Sequence, residues 1–260
     1  MSSVEYTIAD GVGRIVLNRP DHGNAIDMRL AEDLLTAARA CADDAAVRCV
    51  VLSGAGRMFC VGGDIGGFAA AGDQMGAFLR ALADKLHEAV LVLAGMAKPL
   101  VVVVHGPAAG AGLSLVALGD IVLASEASHF TAAYTGIGVT PDGGMSWLLP
   151  RLVGLRTAQE MILTNRRVSA ADAVTLGLVT RTVAADALEA ETEALVAKLV
   201  AAPTRALGAV RKLLVEGQTR GLTEQLEAEA ATIAAAADGP EGREGISAFL
   251  NKRKPDYRAV

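Results

Sequence analysis

The sequence is poor in the residues that build disulfide frameworks and metal sites. Its three cysteines, Cys41, Cys49 and Cys60, form no C-x-x-C pair and favour neither a disulfide framework nor a zinc knuckle. A reducing, cytoplasmic location is therefore expected. The four histidines are scattered without a metal-ligand spacing such as H-E-x-x-H, so no metal site is expected.

Charge and long apolar runs are also scarce. Only 20% of the residues are charged, the net charge is −5, and no basic run with interleaved aromatics is present. Nucleic acid is therefore not an expected partner. The N-terminal residues lack the basic and apolar regions of a secretory signal, and the most apolar stretch, residues 89–105, is broken by Lys98-Pro99 before it reaches membrane-spanning length. We expect a soluble protein without membrane contact.

Apolar residues, in contrast, are abundant. They make up 52% of the 260 residues, and the mean hydropathy is +0.38. A monomer of this composition has little polar surface to present to water, which indicates contacts between subunits. The length allows one large domain or two small ones.

Residues 1–183 alternate between strand and helix patterns separated by glycine-rich loops. Two β-rich runs, 4–8 and 12–17, flank Asp10-Gly11, which predicts a hairpin. Further strands are expected at 47–52, 100–104, 121–124 and 178–183, and helices after Asp27, over 73–95 and over 147–153. This order is typical of an α/β core. Residues 184–260 are alanine-rich and helical in pattern, and we expect them to pack on the core or on a neighbouring subunit.

Two glycine loops are candidates for chemistry. Gly110-Ala111-Gly112 follows an apolar run and opens a helix, where main-chain N–H groups favour an anion. It is not a dinucleotide fingerprint, because Leu115 stands where the third glycine belongs. Glycines that only permit close helix packing are the alternative at this loop. Gly62-Gly63-Asp64 forms a second such loop, and two loops of this kind can direct two donors at one oxygen, as an oxyanion hole does.

Several motifs, in this order along nearly the whole chain, resemble the crotonase superfamily of enoyl-CoA hydratases and isomerases. They are Asn18-Arg19-Pro20 with Asn24-Ala25, FCVGGDI at 59–65, GPAAGAG at 106–112, Pro141-Asp142-Gly143-Gly144, and EGISAFLNKR at 244–253. The resemblance implies a spiral of ββα units followed by a helical C-terminal trimerisation region. A homotrimer or a dimer of trimers is the assembly it implies.

The resemblance also implies an active site for an acyl-CoA thioester. The two oxyanion-hole amides fall on Gly63 and Ala111. Hydratases carry two glutamates around a water, but the matching positions here are Ser114 and Tyr134, and neither is a ready base near neutral pH. Asp142 matches the catalytic aspartate of phenylacetate-type isomerases. From the local sequence alone, Asp142 could instead be the N-cap of the helix that contains Trp147.

One carboxylate suits isomerisation, because the group that removes a proton beside the thioester can return it two carbons further along. An isomerase is therefore the preferred function, either a Δ3,Δ2-enoyl-CoA isomerase or a ring-opening isomerase of the phenylacetate type, with hydration as an alternative. Aryl-CoA dehalogenation is a further alternative. In 4-chlorobenzoyl-CoA dehalogenases an aspartate at this place acts as the nucleophile, and a tryptophan precedes it by eight residues. Here Tyr134 occupies that offset from Asp142. A non-catalytic acyl-CoA binding or assembly subunit is the alternative of another class. No metal or redox cofactor is implied; coenzyme A enters as part of the substrate.

The remaining expectations concern binding and packing. Cys60 is expected to be a packed thiol rather than a nucleophile. The width of the acyl pocket is expected to depend on Phe68, Met75, Phe78, Tyr134 and Trp147. The substrate-binding residues implied by the resemblance are His22, Gly23, Ala25, Gly62, Asp64, Ile65, Ser114, Tyr134, Phe249 and Lys252.

Overall fold

The chain begins with the expected hairpin in the computed structural model, which describes residues 2–260. Strands β1 (Val4–Ala9) and β2 (Val12–Leu17) pair antiparallel. Asp10 and Gly11 between them have φ values of 53° and 85°. A two-residue turn with both central residues in the left-handed region matches the twist of the two strands, which explains the Asp-Gly pair.

A six-stranded sheet forms the centre of the molecule. Its further strands are β3 (Cys49–Gly54), β4 (Leu100–Val104), β6 (Ile121–Ser125) and β9 (Arg181–Val183). The order is β1-β2-β3-β4-β6-β9, and all pairs after the hairpin are parallel. Every residue of β4 is buried, as an uninterrupted apolar run between two covered faces requires.

A second set of short strands runs beside the main sheet. It contains β5 (Ala108–Ala109), β7 (His129–Thr131) and β8 (Val168–Ser169), and isolated bridges join Ile26 to Gly63 and Cys60 to Ala108. Successive passes of the chain thus contribute a strand to the main sheet and a short extended segment to the second layer. The expected arrangement of repeated ββα units is confirmed.

Helices cover the core. They are α1 (Met28–Asp43), α2 (Ile65–Ala70), α3 (Met75–Gly95), α4 (Ala111–Ala117), α5 (Met145–Val153), α6 (Leu155–Thr164) and α7 (Ala170–Thr175). Asp27 begins α1 as its N-cap, because its carboxylate accepts a hydrogen bond from the Leu30 N–H at 2.8 Å. The apolar face of α1 buries Leu30, Leu34 and Ala38.

Two expected elements have different bounds. The helix expected over 73–95 is preceded by the separate helix α2, and a short 3₁₀ turn at 72–74 links the two where Gly72 takes a φ of 50°. The strand expected over 178–183 is shorter, because Gly177 turns the chain at a φ of 81° and Leu178 and Val179 are buried in the connection that follows.

The C-terminal part is helical, as expected. Its helices are α8 (Leu188–Val200), α9 (Thr204–Glu216), α10 (Leu222–Asp238) and α11 (Pro240–Leu250). Leu188, Val196 and Val200 of α8 pack against the second face of the main sheet. Arg211 of α9 is buried and donates to Asp120 and to carbonyls at the end of α3.

The outermost helix differs from those two, since α10 buries no residue. A domain boundary at 183/184 stays a prediction, although the last strand ends at Val183 and only helices follow among the described residues. No helix of residues 2–260 combines the length and the apolar character that a membrane span needs.

Candidate active site

A cavity of about 400 Å³ lies between the two glycine loops, helix α3 and residues 133–142. Six of the predicted catalytic and substrate-binding residues line it: Gly62, Gly63, Ile65, Ala111, Tyr134 and Asp142. The fold therefore brings together, from four separate parts of the chain, the groups that were proposed for catalysis.

The two glycine loops contact each other through their backbones. A Cβ on Gly112 would lie 2.2 Å from the carbonyl oxygen of Cys60, a distance no side chain tolerates. The absence of a side chain at 112 thus allows the start of α4 to approach the loop that carries Gly63. In this arrangement Ala111, the first residue of α4, and Gly63 border the same cavity.

Two main-chain amides on these loops are unpaired. Within residues 2–260, neither the Gly63 N–H nor the Ala111 N–H donates a hydrogen bond to another protein group. Their neighbours are paired: the Asp64 N–H donates to the Ile26 carbonyl at 2.9 Å, and the Gly110 N–H donates to the Thr131 carbonyl at 3.1 Å. Ala111 is buried and Gly63 is half-buried. Because almost all buried backbone amides in proteins are paired, two unpaired donors at one cavity favour a site for an oxygen acceptor.

Asp142 does not cap helix α5, so the N-cap interpretation is wrong. The helix begins at Met145, and Gly144 occupies the N-cap position without a side-chain cap. The Asp142 carboxylate accepts a hydrogen bond from the Tyr134 hydroxyl on Oδ1 at 2.7 Å. Oδ2 has no partner among the described residues. The backbone carbonyl of Asp142 accepts from the Met145 N–H at 3.1 Å and from the Ser114 hydroxyl at 2.9 Å.

The positions that match the hydratase glutamates are tied to Asp142. The hydroxyls of Ser114 and Tyr134 lie 3.1 Å apart and both bond to Asp142. Burial, with the nearby Asp142 carboxylate, raises the pKa of Tyr134 well above its ordinary value. Tyr134 is therefore a neutral phenol that donates to the carboxylate and does not compete with it as a base.

The segment around residue 24 holds the first glycine loop in place. Asn24 is fully buried, and its Nδ2 donates to the carbonyls of Ala55, Met58 and Phe59. The Val61 N–H donates to the Gly23 carbonyl at 3.1 Å. This segment therefore lies directly beside the Gly62–Gly63 backbone.

Asp64 and Ala25 are also part of that support. Burial raises the pKa of Asp64, but hydrogen bonds from the Arg19 side chain and the Gly67 N–H outweigh it and lower this pKa below its usual value. The Arg19 guanidinium contacts Asp64 at 3.0 Å and also donates to the Ala25 carbonyl. Neither Ala25 nor Asp64 lines the cavity, and His22 and Gly23 lie outside it as well. Their roles in substrate binding stay predictions.

Several other expected residues do not line the cavity. Phe249, at the end of α11, is 83% exposed, and Lys252 follows it on the surface; contacts of either with substrate stay predictions. Trp147 was expected over the acyl pocket, but it lies on the outer face of α5, 38% exposed, with the Arg151 guanidinium 4.0 Å from its ring centre. Phe68 does line the cavity. Phe78 packs edge-on against the Phe68 ring, with 6.3 Å between the two ring centres.

Of helix α3, sequence analysis singled out only Met75 and Phe78 for the acyl pocket, and neither of them lines the cavity. Leu82 and Leu86 of α3 line the cavity, and His87 accepts a hydrogen bond from the Gly143 N–H beside Asp142. The apolar spacing of 82 and 86 predicts a buried helix face, but nothing in the sequence says that this face meets the loop at 142–144.

Cys60 lies under the glycine loops. It is fully buried, its thiol contacts the Asn24 carbonyl, and burial raises its pKa to about 12. A thiol with this pKa is not a nucleophile near neutral pH, in agreement with the packing role predicted for it.

Comparisons with known proteins place the chain in a family. The model of the enoyl-CoA hydratase/isomerase family matches residues 7–259. The chain is 34% identical over 255 residues to a probable enoyl-CoA hydratase of Rhodobacter capsulatus, covering 98% of this chain and 97% of the relative. It is 32% identical to the 1,2-epoxyphenylacetyl-CoA isomerase of Escherichia coli, with 96% of each chain covered.

A solved structure shows the same fold. The enoyl-CoA hydratase of Mycobacterium smegmatis superimposes with a TM-score of 0.93 at 32% identity, covering 98% of this chain and 99% of that one. The motifs, the ββα architecture and the matches over the full length agree. The chain therefore belongs to the enoyl-CoA hydratase/isomerase family of acyl-CoA enzymes and has the crotonase fold.

Proposed function

We propose that this protein is an enoyl-CoA isomerase that moves a carbon–carbon double bond with a single carboxylate. The observation that carries the proposal is the state of Asp142. It is the only carboxylate among the described residues that line the cavity, and its Oδ1 is held by Tyr134 while Oδ2 has no partner. A fixed carboxylate with one free oxygen suits the removal and return of one proton.

The proposed reaction balances without a second base. Asp142 Oδ2 removes a proton from the carbon between the thioester and the double bond of a 3-enoyl-CoA. The electron pair moves onto the thioester oxygen, where the Gly63 and Ala111 amides stabilise the dienolate. The protonated Asp142 then delivers its proton two carbons further along, and the double bond becomes conjugated with the thioester. This proton transfer calls for no metal or redox cofactor.

Hydration is the alternative suggested by the names of the Rhodobacter capsulatus relative and the Mycobacterium smegmatis structure, and it makes a larger demand. Water must be held and deprotonated by one group while another supplies a proton. Here Ser114 and Tyr134 occupy the positions that match the two hydratase glutamates, and their hydroxyls are engaged with Asp142. This engagement supports isomerisation over hydration.

A second candidate is aryl-CoA dehalogenation, favoured by the aromatic Tyr134 eight residues before Asp142 and in contact with its carboxylate. There Asp142 would attack the ring carbon, chloride would leave, and water would hydrolyse the resulting aryl ester. Because that water attacks the carboxyl carbon, a single turnover in oxygen-18 water puts the label on Asp142 and leaves the first product unlabelled.

The deciding experiment offers the wild-type protein 3-enoyl-CoA, 2-enoyl-CoA and 4-chlorobenzoyl-CoA and measures binding and turnover of each. We expect conversion of the 3-enoyl-CoA to its conjugated isomer, with little hydration and no chloride release. Tight binding of all three without turnover would instead show a non-catalytic acyl-CoA binding subunit. Hydration faster than isomerisation would overturn the proposal in favour of a hydratase.

Assembly and location complete the proposal. The C-terminal helices expose large apolar side chains, and these favour a homotrimer or a dimer of trimers: Leu222, Leu226, Ile233, Phe249 and Leu250. Light scattering coupled to size-exclusion chromatography tests the assembly, and a monomer at micromolar concentration would contradict it. Three free, buried cysteines support the cytoplasmic location proposed from the sequence.

A further inference from the structure

His87 is a titratable side chain beside the active site that the proposed reaction does not use. It lies on α3, directly after Leu86, which lines the cavity. Its Nε2 is 3.0 Å from the Gly143 N–H, which donates to it. Gly143 is buried, and its amide has no other acceptor in the described part of the chain. A buried amide without an acceptor destabilises the fold, so the turn at 142–144 depends on this hydrogen bond.

The hydrogen bond fixes the tautomer of His87. An imidazole nitrogen accepts only when it carries no proton, so the neutral ring has its proton on Nδ1. The Nε2 lone pair is then occupied by the Gly143 amide. From that nitrogen His87 is not available as a general base while the turn is intact.

The peptide group between Asp142 and Gly143 is hydrogen-bonded at both of its polar atoms. Its carbonyl, that of Asp142, accepts from the Ser114 hydroxyl at 2.9 Å. Its N–H, that of Gly143, donates to His87. Gly143 has a φ of 60°, and a Cβ there would lie 2.9 Å from the Ser114 Cβ. Glycine leaves this peptide group free to rotate in principle, so the two hydrogen bonds set its orientation.

We propose that His87 is a positioning residue that fixes the Asp142–Gly143 peptide and thereby aims the free carboxylate oxygen of Asp142 at the substrate. The role rests on the proposed isomerase function of Asp142. If the hydrogen bond to His87 is lost, the backbone of residues 142–144 can shift, the Asp142 Cα and side chain move with it, and proton transfer suffers more than substrate binding. Misplacement of a reacting group by about 1 Å can cost roughly 10²-fold in rate.

The test compares two variants and a matched control. His87→Leu removes the acceptor, whereas His87→Gln keeps an oxygen acceptor at about the reach of Nε2. Thr180→Val is the control, because the Thr180 hydroxyl accepts from the buried Val122 N–H at 2.9 Å and neither residue lines the cavity. We expect His87→Leu to lower kcat about 10- to 100-fold with KM changed about twofold or less. His87→Gln should recover most of kcat, and Thr180→Val should keep it.

Hydrogen exchange separates this proposal from the proposed function. Exchange of a peptide containing Gly143 should be faster in His87→Leu than in wild type or His87→Gln, whatever reaction the enzyme catalyses. Unchanged exchange or unchanged kcat in a folded His87→Leu protein would overturn the positioning role, and so would a His87→Gln variant as slow as His87→Leu. If His87→Leu does not fold, the imidazole ¹⁵N spectrum of the wild type decides: a proton on Nε2 overturns the role, and an unprotonated Nε2 supports it.

Discussion

The two sides of the cavity treat their polar groups in opposite ways. On one side, the amides of Gly63 and Ala111 have no acceptor among residues 2–260. On the other, the Asp142 turn has its carbonyl, its following amide and one carboxylate oxygen bonded to Ser114, His87 and Tyr134. Leaving a buried donor such as the Ala111 amide unpaired costs about 1–3 kcal/mol, so the difference between the two sides is not incidental.

This comparison separates two requirements of acid–base catalysis on a thioester. Donors that stabilise a developing oxyanion are useful only if no protein group already occupies them. A carboxylate that moves a proton must be held in one direction and keep one oxygen free. The glycine loops meet the first requirement, and the turn at 142–144 meets the second.

The largest loss of activity is expected when the negative charge is removed from the turn at 142–144. Asp142→Asn keeps the size of the side chain and an oxygen acceptor for Tyr134, but it cannot take a proton. With a 3-enoyl-CoA as substrate, we expect kcat for isomerisation to fall about 10²- to 10⁴-fold while acyl-CoA affinity stays nearly constant. Asp172→Asn, at an exposed position on α7, is the matched control and should retain full activity. An Asp142→Asn enzyme with nearly normal kcat would exclude Asp142 as the base.

Removing one of the free donors should have the next largest effect. Ala111 is the first residue of α4, a position that accepts proline, and proline lacks the N–H. We expect Ala111→Pro to lower kcat about 10²- to 10³-fold, because one of the two oxyanion donors is lost. Leu155→Pro, at the first residue of α6 and away from the cavity, controls for the effect of proline at a helix start. Circular dichroism and thermal unfolding must show that Ala111→Pro is folded; equal activity of the two proline variants would count against the oxyanion role.

Local sequence was sufficient for the parts of the fold that depend on neighbouring residues. Asp10-Gly11 has the residue types that a two-residue hairpin turn requires, and Asp27 caps α1 as predicted. The strand at 100–104 is a continuous apolar run and is buried throughout. These elements follow from conformational preference and hydrophobic pattern alone.

Long-range contacts could not be deduced in this way. The three short strands β5, β7 and β8 have two or three residues each, too few to show a periodic pattern. Asp142 has the sequence context of an N-cap, but two successive left-handed glycines move the start of the helix to Met145. The contact of His87 with Gly143 spans 56 positions, and only the folded chain brings them together.

Removal of the hydrogen bond from Tyr134 to Asp142 should have a smaller effect on the turn at 142–144. Tyr134→Phe keeps the ring that lines the cavity and removes the donor to Oδ1. We expect kcat to fall about tenfold with little change in KM, because the carboxylate loses an orienting hydrogen bond to a charged group. Tyr6→Phe on the exposed strand β1 is the control. A rise in KM with kcat unchanged would assign Tyr134 to substrate binding instead.

The smallest expected effect is on stability, and it concerns the ion pair between Arg19 and Asp64 that supports the glycine loop at 62–64. Arg19 lowers the pKa of Asp64, so the ionised carboxylate stabilises the fold above the ordinary pKa of 3.8. This contribution decreases as the pH falls from that value through the lower pKa of the folded state. Asp64→Asn removes the charge, but asparagine is still a good N-cap for α2, where Asp64 accepts from the Gly67 N–H.

We therefore expect Asp64→Asn to lower the free energy of unfolding by about 1 kcal/mol near pH 7 and by much less near pH 3. Urea unfolding of both proteins across this range measures the difference. Arg19→Gln should give a loss with the same direction of pH dependence and at least the same size, because Arg19 pairs with Asp27 at 3.2 Å as well as with Asp64. If the difference between wild type and Asp64→Asn does not change with pH, the ion pair does not stabilise this loop. Uncharged contacts then hold the Gly63 amide in place: the N-cap at residue 64 and the hydrogen bonds from Asn24 to the carbonyls of the preceding loop.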